Sequence, residues 1–556
     1  MAKADLDALV VGAGFSGLYM LYKLRELGLS AKVLEAGGDV GGTWYWNRYP
    51  GARCDCESKE YSYSFSPELE QEWVWTERYS AQPEILSYLQ HVADRFDLRR
   101  DIDFHTRVKA AHWDDAESLW TVTTEAGRSI TARYCIMGTG CLSSANRPQI
   151  PGLDDFEGET LLTGLWPHEG VDFTGKRVAV IGTGSSAIQA IPLIARDAAS
   201  LTVFQRTPNF AIPAHNYPLS EEELAQIKAD YRAMRASERS SQNGIDMRGR
   251  LPTTAALAIS EEERRADFER LWEEGGLFFF ASHIDMVTDP RAAELAAEFV
   301  HEKIRQRVRD PEIAELLCPR GYPFGSKRLC VDTEYFETYN EPHVRLVDLT
   351  ATPIEQIVPQ GVKTSEGLFE ADILVLATGF DAMTGSLTRI DISGQEGLSL
   401  KEKWAAGPRS YLGLMSAGFP NLFTVTGPGS PSVLSNMIVS IEQHVEWIAD
   451  LLAEMEERGA ATIEALPDAE DAWVDHVNAV AGATIFMHAK SWYLGANIPG
   501  KPRIFMPYIG GCFTYRSICN ETAARGYAGF AIDGRVNPAM PDFASYLGAS
   551  APLEVA

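Results

Sequence analysis

The sequence predicts an α/β chain of two Rossmann-like dinucleotide-binding domains with a helical insertion in the second. Three observations predict it. An apolar strand runs into the glycine-rich turn Gly12–Gly17, a second strand and turn of the same kind begin at Arg177, and the stretch from Leu219 to Arg309 is charged, helical in period and poor in strands.

In chain order, the strand Asp7–Val11 meets the first turn, a helix covers about Ser16 to Leu27 and stops at Gly28, and a second strand runs from Ala31 to Glu35. The second unit has the strand Val178–Ile181, the turn Gly182-Thr183-Gly184, a helix to about Ala195 and the strand Leu201–Gln205. After the helical stretch come a strand at Val344–Val347 and the apolar run Ala371–Gly379, of the kind that closes a parallel sheet. Tyr134–Gly140 is its counterpart in the first unit. The chain is thus expected to leave the first domain near residue 140, build the second, and return near residue 380. An amphipathic helix at about Ile441–Glu457 reads as packing. The expected division is 1–150 and 379–540 for the first domain, 151–218 and 326–378 for the second, 219–325 for the insertion, and 541–556 for a C-terminal tail.

Composition narrows the function. At 556 residues the chain is too long for one core. A net charge of −27 argues against binding nucleic acid or anionic membranes, which takes clustered Lys and Arg. No apolar run is long enough to span a bilayer. The first strand follows the N-terminus too closely for a signal peptide. Eight cysteines show no C-x-x-C, and Cys54 and Cys56 are too close in sequence for good disulfide geometry. Free thiols, a cytoplasmic location, no metal, and a monomer or weak homo-oligomer are the expectations.

The turn Gly12-Ala13-Gly14-Phe15-Ser16-Gly17 lets backbone approach a pyrophosphate at a helix N-terminus. Glu35 lies 23 residues after Gly12. A carboxylate there accepts from both hydroxyls of an adenosine ribose and repels a 2′-phosphate, so this site is read as holding FAD. The second turn is Gly182-Thr183-Gly184-Ser185-Ser186-Ala187, and the same count lands on Gln205, beside Arg206. With no carboxylate and a guanidinium at hand, the second site is read as holding NADPH. A solvated surface arginine is the plainer alternative. A disulfide reductase would need paired cysteines near the flavin, so electrons are expected to go to oxygen.

Downstream of the first turn, Gly41-Gly42-Thr43-Trp44-Tyr45-Trp46-Asn47-Arg48-Tyr49-Pro50-Gly51-Ala52-Arg53-Cys54-Asp55 resembles the G-G-x-W-x-x-x-x-Y-P-G-x-x-x-D signature of type I Baeyer–Villiger monooxygenases. Their second signature, F-x-G-x-x-x-H-x-x-x-W-P, reads here Phe156, Gly158, Leu162, Trp166 and Pro167, with leucine in place of the histidine. Gly321–Arg328, Gly427–Pro431 and Ser491-Trp492-Tyr493 resemble the same family, nearest its phenylacetone monooxygenase branch. The likeness runs from about residue 6 to 535.

The resemblance implies a flavin peroxide whose anion attacks a ketone carbonyl, and an adduct that rearranges to an ester or lactone, with NADPH and O2 consumed. Arg328 matches the family's active-site arginine and Asp55 the carboxylate that orients it; a fixed cation is what anionic oxygens in a dry site require. Lys327 joins Arg206 as the clamp on the 2′-phosphate. Trp492 falls on a loop over NADP or is a packing anchor. Ser430, Pro431, Ser432, Val433 and Leu434 match a loop beside the substrate pocket. With Gly42, Thr43, Trp44, Tyr49, Gln189 and Thr207 added to the turns, Glu35, Asp55 and Arg328, the cofactor-binding set is complete. Two other functions stay open: oxygenation of nitrogen or sulfur, and a silent NADP-binding sensor, for which Leu162 is the only support.

Overall fold

The computed structural model describes residues 4–547, so the end of the predicted tail, 548–556, lies outside the described residues. Two parallel sheets organise the chain. In the first, Ile102–Asp103, Ala31–Leu34, Leu6–Val11, Ser129–Met137 and Leu422–Thr424 lie side by side, all parallel. The start of Ser129–Met137 pairs instead with Leu119–Thr124, which pairs with Val108–Asp114, both antiparallel. Asp391–Ser393 closes that edge. Segments after residue 380 thus add strands to the sheet that the N-terminus began.

The second sheet runs Val344–Asp348, Ser200–Gln205, Arg177–Ile181, Ile373–Leu376 and Glu159–Leu162, all parallel. Here the structure differs from the expectation that Ala371–Gly379 closes the sheet. Its strand is interior, and the edge is Glu159–Leu162, a short run inside the second signature whose mixed composition carries no strand pattern. Leu162 pairs with Leu376 and packs in an apolar layer with Leu153, Ala179 and Leu374.

The first nucleotide helix, Phe15–Glu26, is set one residue earlier than expected, and the second, Ser185–Asp197, follows its turn directly and runs two residues past Ala195. Each starts at a glycine, Gly14 or Gly184, with no capping side chain and no acid in its first turn. The insertion's long helices are built the other way. Glu221–Ser240 and Glu261–Glu274 each open with a capping box, Ser220 with Glu223 and Ser260 with Glu263, and three glutamates in the first turn. Pro290–Arg307 and Pro311–Leu317 complete the insertion. Its root is a two-stranded parallel pair, Ala211–Pro213 with Cys330–Asp332. Arg235, 6% exposed, docks the insertion on the first domain by donating to Glu70 Oε1 (2.8 Å) and Ser62 Oγ (2.7 Å).

The amphipathic helix is longer than read from sequence, Met437–Arg458, capped by Asn436 and ended at Gly459. It packs along Phe15–Glu26, burying Ile441, Val445, Ile448 and Leu452.

Candidate active site

One cavity of about 2220 Å³ opens between the two glycine turns, at least twice the roughly 300–1,000 Å³ of a drug-sized site. It is lined from one side by Gly12, Gly14, Phe15, Ser16, Glu35, Gly42, Thr43, Trp44, Tyr49 and Asp55. Gly182, Thr183, Gly184, Ser185, Ser186, Gln189, Arg206, Thr207, Lys327, Arg328 and Trp492 line it from the other. Gly17 and Ala187 are absent from its wall. They serve packing: a methyl on Gly17 would stand 1.8 Å from the Gly12 carbonyl oxygen, and Ala187 is fully buried.

In the first turn, the Gly12 N–H donates to the Leu34 carbonyl, which sets Glu35 directly beside the turn. Its carboxylate is 4% exposed and accepts from the Ala13 and Gly37 N–H groups, each at 2.6 Å. Burial raises its pKa, and those two donors oppose the shift. Gly14 and Gly42 cross so closely that a methyl on Gly42 would lie 2.9 Å from the Gly14 Cα. Only backbone fits there, beside an uncapped helix N-terminus, and this is the cradle a pyrophosphate needs.

The second turn repeats the backbone register: the Gly182 N–H donates to the Phe204 carbonyl, so Gln205 is the positional equivalent of Glu35. The side chain does not do the equivalent job. Gln205 is 2% exposed and turns away, its Nε2 donating to the Leu316 carbonyl at 2.7 Å. What reaches the cavity is Arg206, exposed, and Lys327. Neither has an ion-pair partner among the described residues. Lys327 lies over the Tyr322 ring, 3.9 Å from its centre, and its pKa is pulled down to about 8 by burial and then by Arg206. Two neighbouring cations without a carboxylate make a binding point for a phosphate. Thr183 Oγ1 donates to the Thr207 carbonyl (3.0 Å), fixing the turn's far side.

The segment from Gly41 to Asp55 joins the two turns. The Gly41 N–H donates to the Ala13 carbonyl (2.9 Å) at one end. At the other, Tyr49 OH donates to Gln189 Oε1 (2.8 Å), and Gln189 Nε2 donates to the Arg53 carbonyl (3.0 Å). Gly51, with φ 77°, passes so near this helix that a methyl would stand 2.5 Å from the Gln189 carbonyl. The Trp166 N–H donates to the Trp46 carbonyl (3.3 Å), tying the second signature to the first.

Asp55 then meets Arg328 in a two-point ion pair, Nε to Oδ2 at 2.9 Å and Nη2 to Oδ1 at 2.6 Å. Arg328 Nη1 donates to the Val433 carbonyl at 3.2 Å. Burial works against the guanidinium's charge, but Asp55 and the neighbouring Tyr493 outweigh it and raise its pKa. Of five N–H donors, three are committed to Asp55 and Val433, and the guanidinium also meets the Tyr493 hydroxyl at the cavity wall.

Of the predicted pocket loop only Val433 lines the cavity. Ser430 and Ser432 are fully buried. Ser430 Oγ holds the Gly427 carbonyl, Pro431 caps the short turn Ser432–Leu434, and Leu434 packs toward the core. Ser435, Met437 and Ile441 supply the wall instead. Sequence reading also missed Tyr61, which takes the Trp44 indole N–H (3.3 Å), and Tyr493, buried against Arg328. Tyr493 stands next to Trp492 in a stretch already singled out, a signal available but unused. Asn497 and Lys501 anchor that loop on the Phe380 carbonyl and Asp381.

The family model described as pyridine nucleotide-disulphide oxidoreductase matches residues 9–251. A solved structure of an oxidised steroid monooxygenase bound to NADP is 52% identical, with a TM-score of 0.91 over 96% of this chain and 99% of that one. A Baeyer-Villiger monooxygenase of Pseudooceanicola batsensis is 43% identical over 94% of this chain and 96% of its own. A phenazine N-monooxygenase of Lysobacter antibioticus is 42% identical over 95% of this chain and 97% of its own.

Proposed function

The chain belongs to the Baeyer–Villiger monooxygenase family, and on that premise we propose which of its residues act when a ketone becomes an ester or lactone. It is an NADPH-dependent FAD monooxygenase. Gly12, Gly14, Gly42 and Glu35 hold FAD: the crossing glycines admit its pyrophosphate and Glu35 its adenosine ribose. Gly182 to Ser186 hold the NADPH pyrophosphate, with Arg206 and Lys327 on the 2′-phosphate. When bound, these two cofactors supply hydride and the activation of O2.

Arg328 places its guanidinium charge where negative charge gathers on oxygen during attack at the carbonyl. Asp55 fixes the plane of the guanidinium, and the Val433 carbonyl stops it from rotating. Tyr61, Val433, Met437 and Ile441 keep water off the reacting carbonyl, and Trp492 covers the nicotinamide side. The observation that carries this reading is the two-point Arg328–Asp55 pair, facing the cavity between both turns. The test is Arg328→Ala. NADPH should still bleach the flavin while ester formation from a panel of linear, aryl and cyclic ketones falls by about 10²–10³-fold; normal ester yield would remove the assignment.

A second reading, oxygenation of an aromatic nitrogen, is favoured by the phenazine N-monooxygenase relative. Adding an N-heterocycle to the same panel decides between them, since electrophilic transfer to nitrogen has less need of Arg328. The division into domains follows the bounds given above. A cytoplasmic monomer or weak homo-oligomer is the reading for the whole protein, supported by eight free thiols.

A further inference from the structure

The arch from Arg53 to Ser58 carries two thiols that the monooxygenase chemistry leaves unused. Both feet of the arch are fixed. The Cys54 N–H donates to the Ser80 carbonyl (3.3 Å), and the Ser58 N–H donates to the Arg78 carbonyl (2.8 Å). Asp55 extends from the arch to Arg328. Cys54 and Cys56 flank it, 8% and 9% exposed, and both line the same cavity. Their sulfurs and an Asp55 oxygen lie within 4.8 Å of one another. Asp55 is committed to Arg328, so a metal would have to break that pair, and the two sulfurs are left facing each other.

We propose that Cys54 and Cys56 are a peroxide-sensitive dithiol, oxidised to a disulfide that draws Asp55 away from Arg328. The oxidant is hydrogen peroxide, the product of O2 reduction in a turnover that transfers no oxygen to substrate. The Cys54 sulfur attacks one peroxide oxygen, the O–O bond breaks, and a sulfenic acid and one water result. The Cys56 sulfur then attacks the Cys54 sulfur, the S–O bond breaks, and the hydroxyl leaves as the second water with the Cys56 proton. Two thiols lose two electrons and two protons, and peroxide becomes two waters.

The order of events follows from the contacts. The Cys54 sulfur accepts from the Cys56 N–H at 3.5 Å. The Cys56 thiol is held protonated by its hydrogen bond to Cys54 and by burial, so Cys54 is the sulfur better placed to attack first. A disulfide across one residue is strained, and strained disulfides are readily reduced. The site is therefore reversible. It protects the flavin site by pausing catalysis when peroxide accumulates.

The experiment adds peroxide directly to the full-length FAD-loaded enzyme, without NADPH or ketone, so it stands or falls apart from the monooxygenase reading that names the peroxide source. Expected is a peptide spanning residues 54–56 that is lighter by two hydrogens, resists alkylation and is restored by a thiol reductant; a separate assay of the treated enzyme, with NADPH and ketone then supplied, should show ester formation lost and regained in step. Cys141 and Cys330, which also face the cavity, should keep their thiols at the same dose. In Cys56→Ser, peroxide should leave a sulfenic acid on Cys54 that dimedone traps. Any of four results overturns the proposal: both thiols alkylated as before, only irreversible oxygen-added acids at the pair, equal oxidation of Cys141 or Cys330, or no dimedone adduct on Cys54.

Discussion

The two glycine turns share a backbone register and an uncapped helix N-terminus, and differ in the side chains set around them. At the first, a buried carboxylate is locked onto backbone N–H groups, two glycines cross, and the helix is pressed so close to its strand that position 17 tolerates no methyl. At the second, Ala187 takes that position, so the helix must stand farther off its strand, and the equivalent of Glu35 is turned into the core. On the proposed assignment, two cations at the cavity wall do the recognising. The first site would then grip by shape and the second by charge, as suits one nucleotide that stays and one that is exchanged each cycle.

The contrast is most severely broken where the halves meet. Arg328→Ala leaves both turns intact and should lower ester formation by about 10²–10³-fold, as loss of a fixed donor at a developing oxyanion does, with flavin reduction by NADPH retained in stopped-flow. Next comes the charged half. Arg206→Ala should raise KM for NADPH by about tenfold to a hundredfold, from about 1.5–3 kcal/mol for one charge-assisted hydrogen bond, and leave NADH kinetics unchanged. Equal losses with both nucleotides would mean that the cations do not read the 2′-phosphate. On the shape-gripping half, Glu35→Gln should loosen FAD by about tenfold, roughly one hydrogen bond to a charged group, seen as flavin fluorescence released on dilution with KM for NADPH unmoved.

Acidity gives a gentler test of the same contrast. Burial, and then Arg206, pull the Lys327 ammonium down to about 8. A lysine is cationic below its pKa, so NADPH binding should weaken as pH rises through about 8, with FAD retention flat over that range. Lys327→Arg should remove the slope, because arginine stays charged. The smallest effect is expected at Leu162. It ends an edge strand within an apolar layer, so Leu162→His should leave ester formed per NADPH unchanged. A shift in that ratio would give the position a part in timing the two halves.

What was legible in the sequence follows the same division. The turns, Glu35 and the cation at 206 stand out because their spacing is local: a strand, a glycine turn and a helix fix which residue comes next. Counting located the register of Gln205 and was silent on its direction, because a side chain buried against Leu316 looks in sequence like one facing a ribose. Asp55 and Arg328 lie 273 residues apart, and only the resemblance joined them. The Ser430–Leu434 loop was placed near the pocket, but which of its residues face inward depends on how the Gly427–Gly429 turn packs. The edge strand ending at Leu162 gave no strand pattern at all; it pairs because Ile373–Leu376 presents an open edge.

Pinned at Gly42 against the first turn and at Gly51 against the helix of the second, the ribbon between them works as a gauge block. Its length, more than its composition, sets how far apart the two turns stand. A substitution along it alters one contact. An added or deleted residue would alter the separation of the halves, and with it each partnership that must close across them: Tyr49 with Gln189, Trp46 with Trp166, and Asp55 with Arg328.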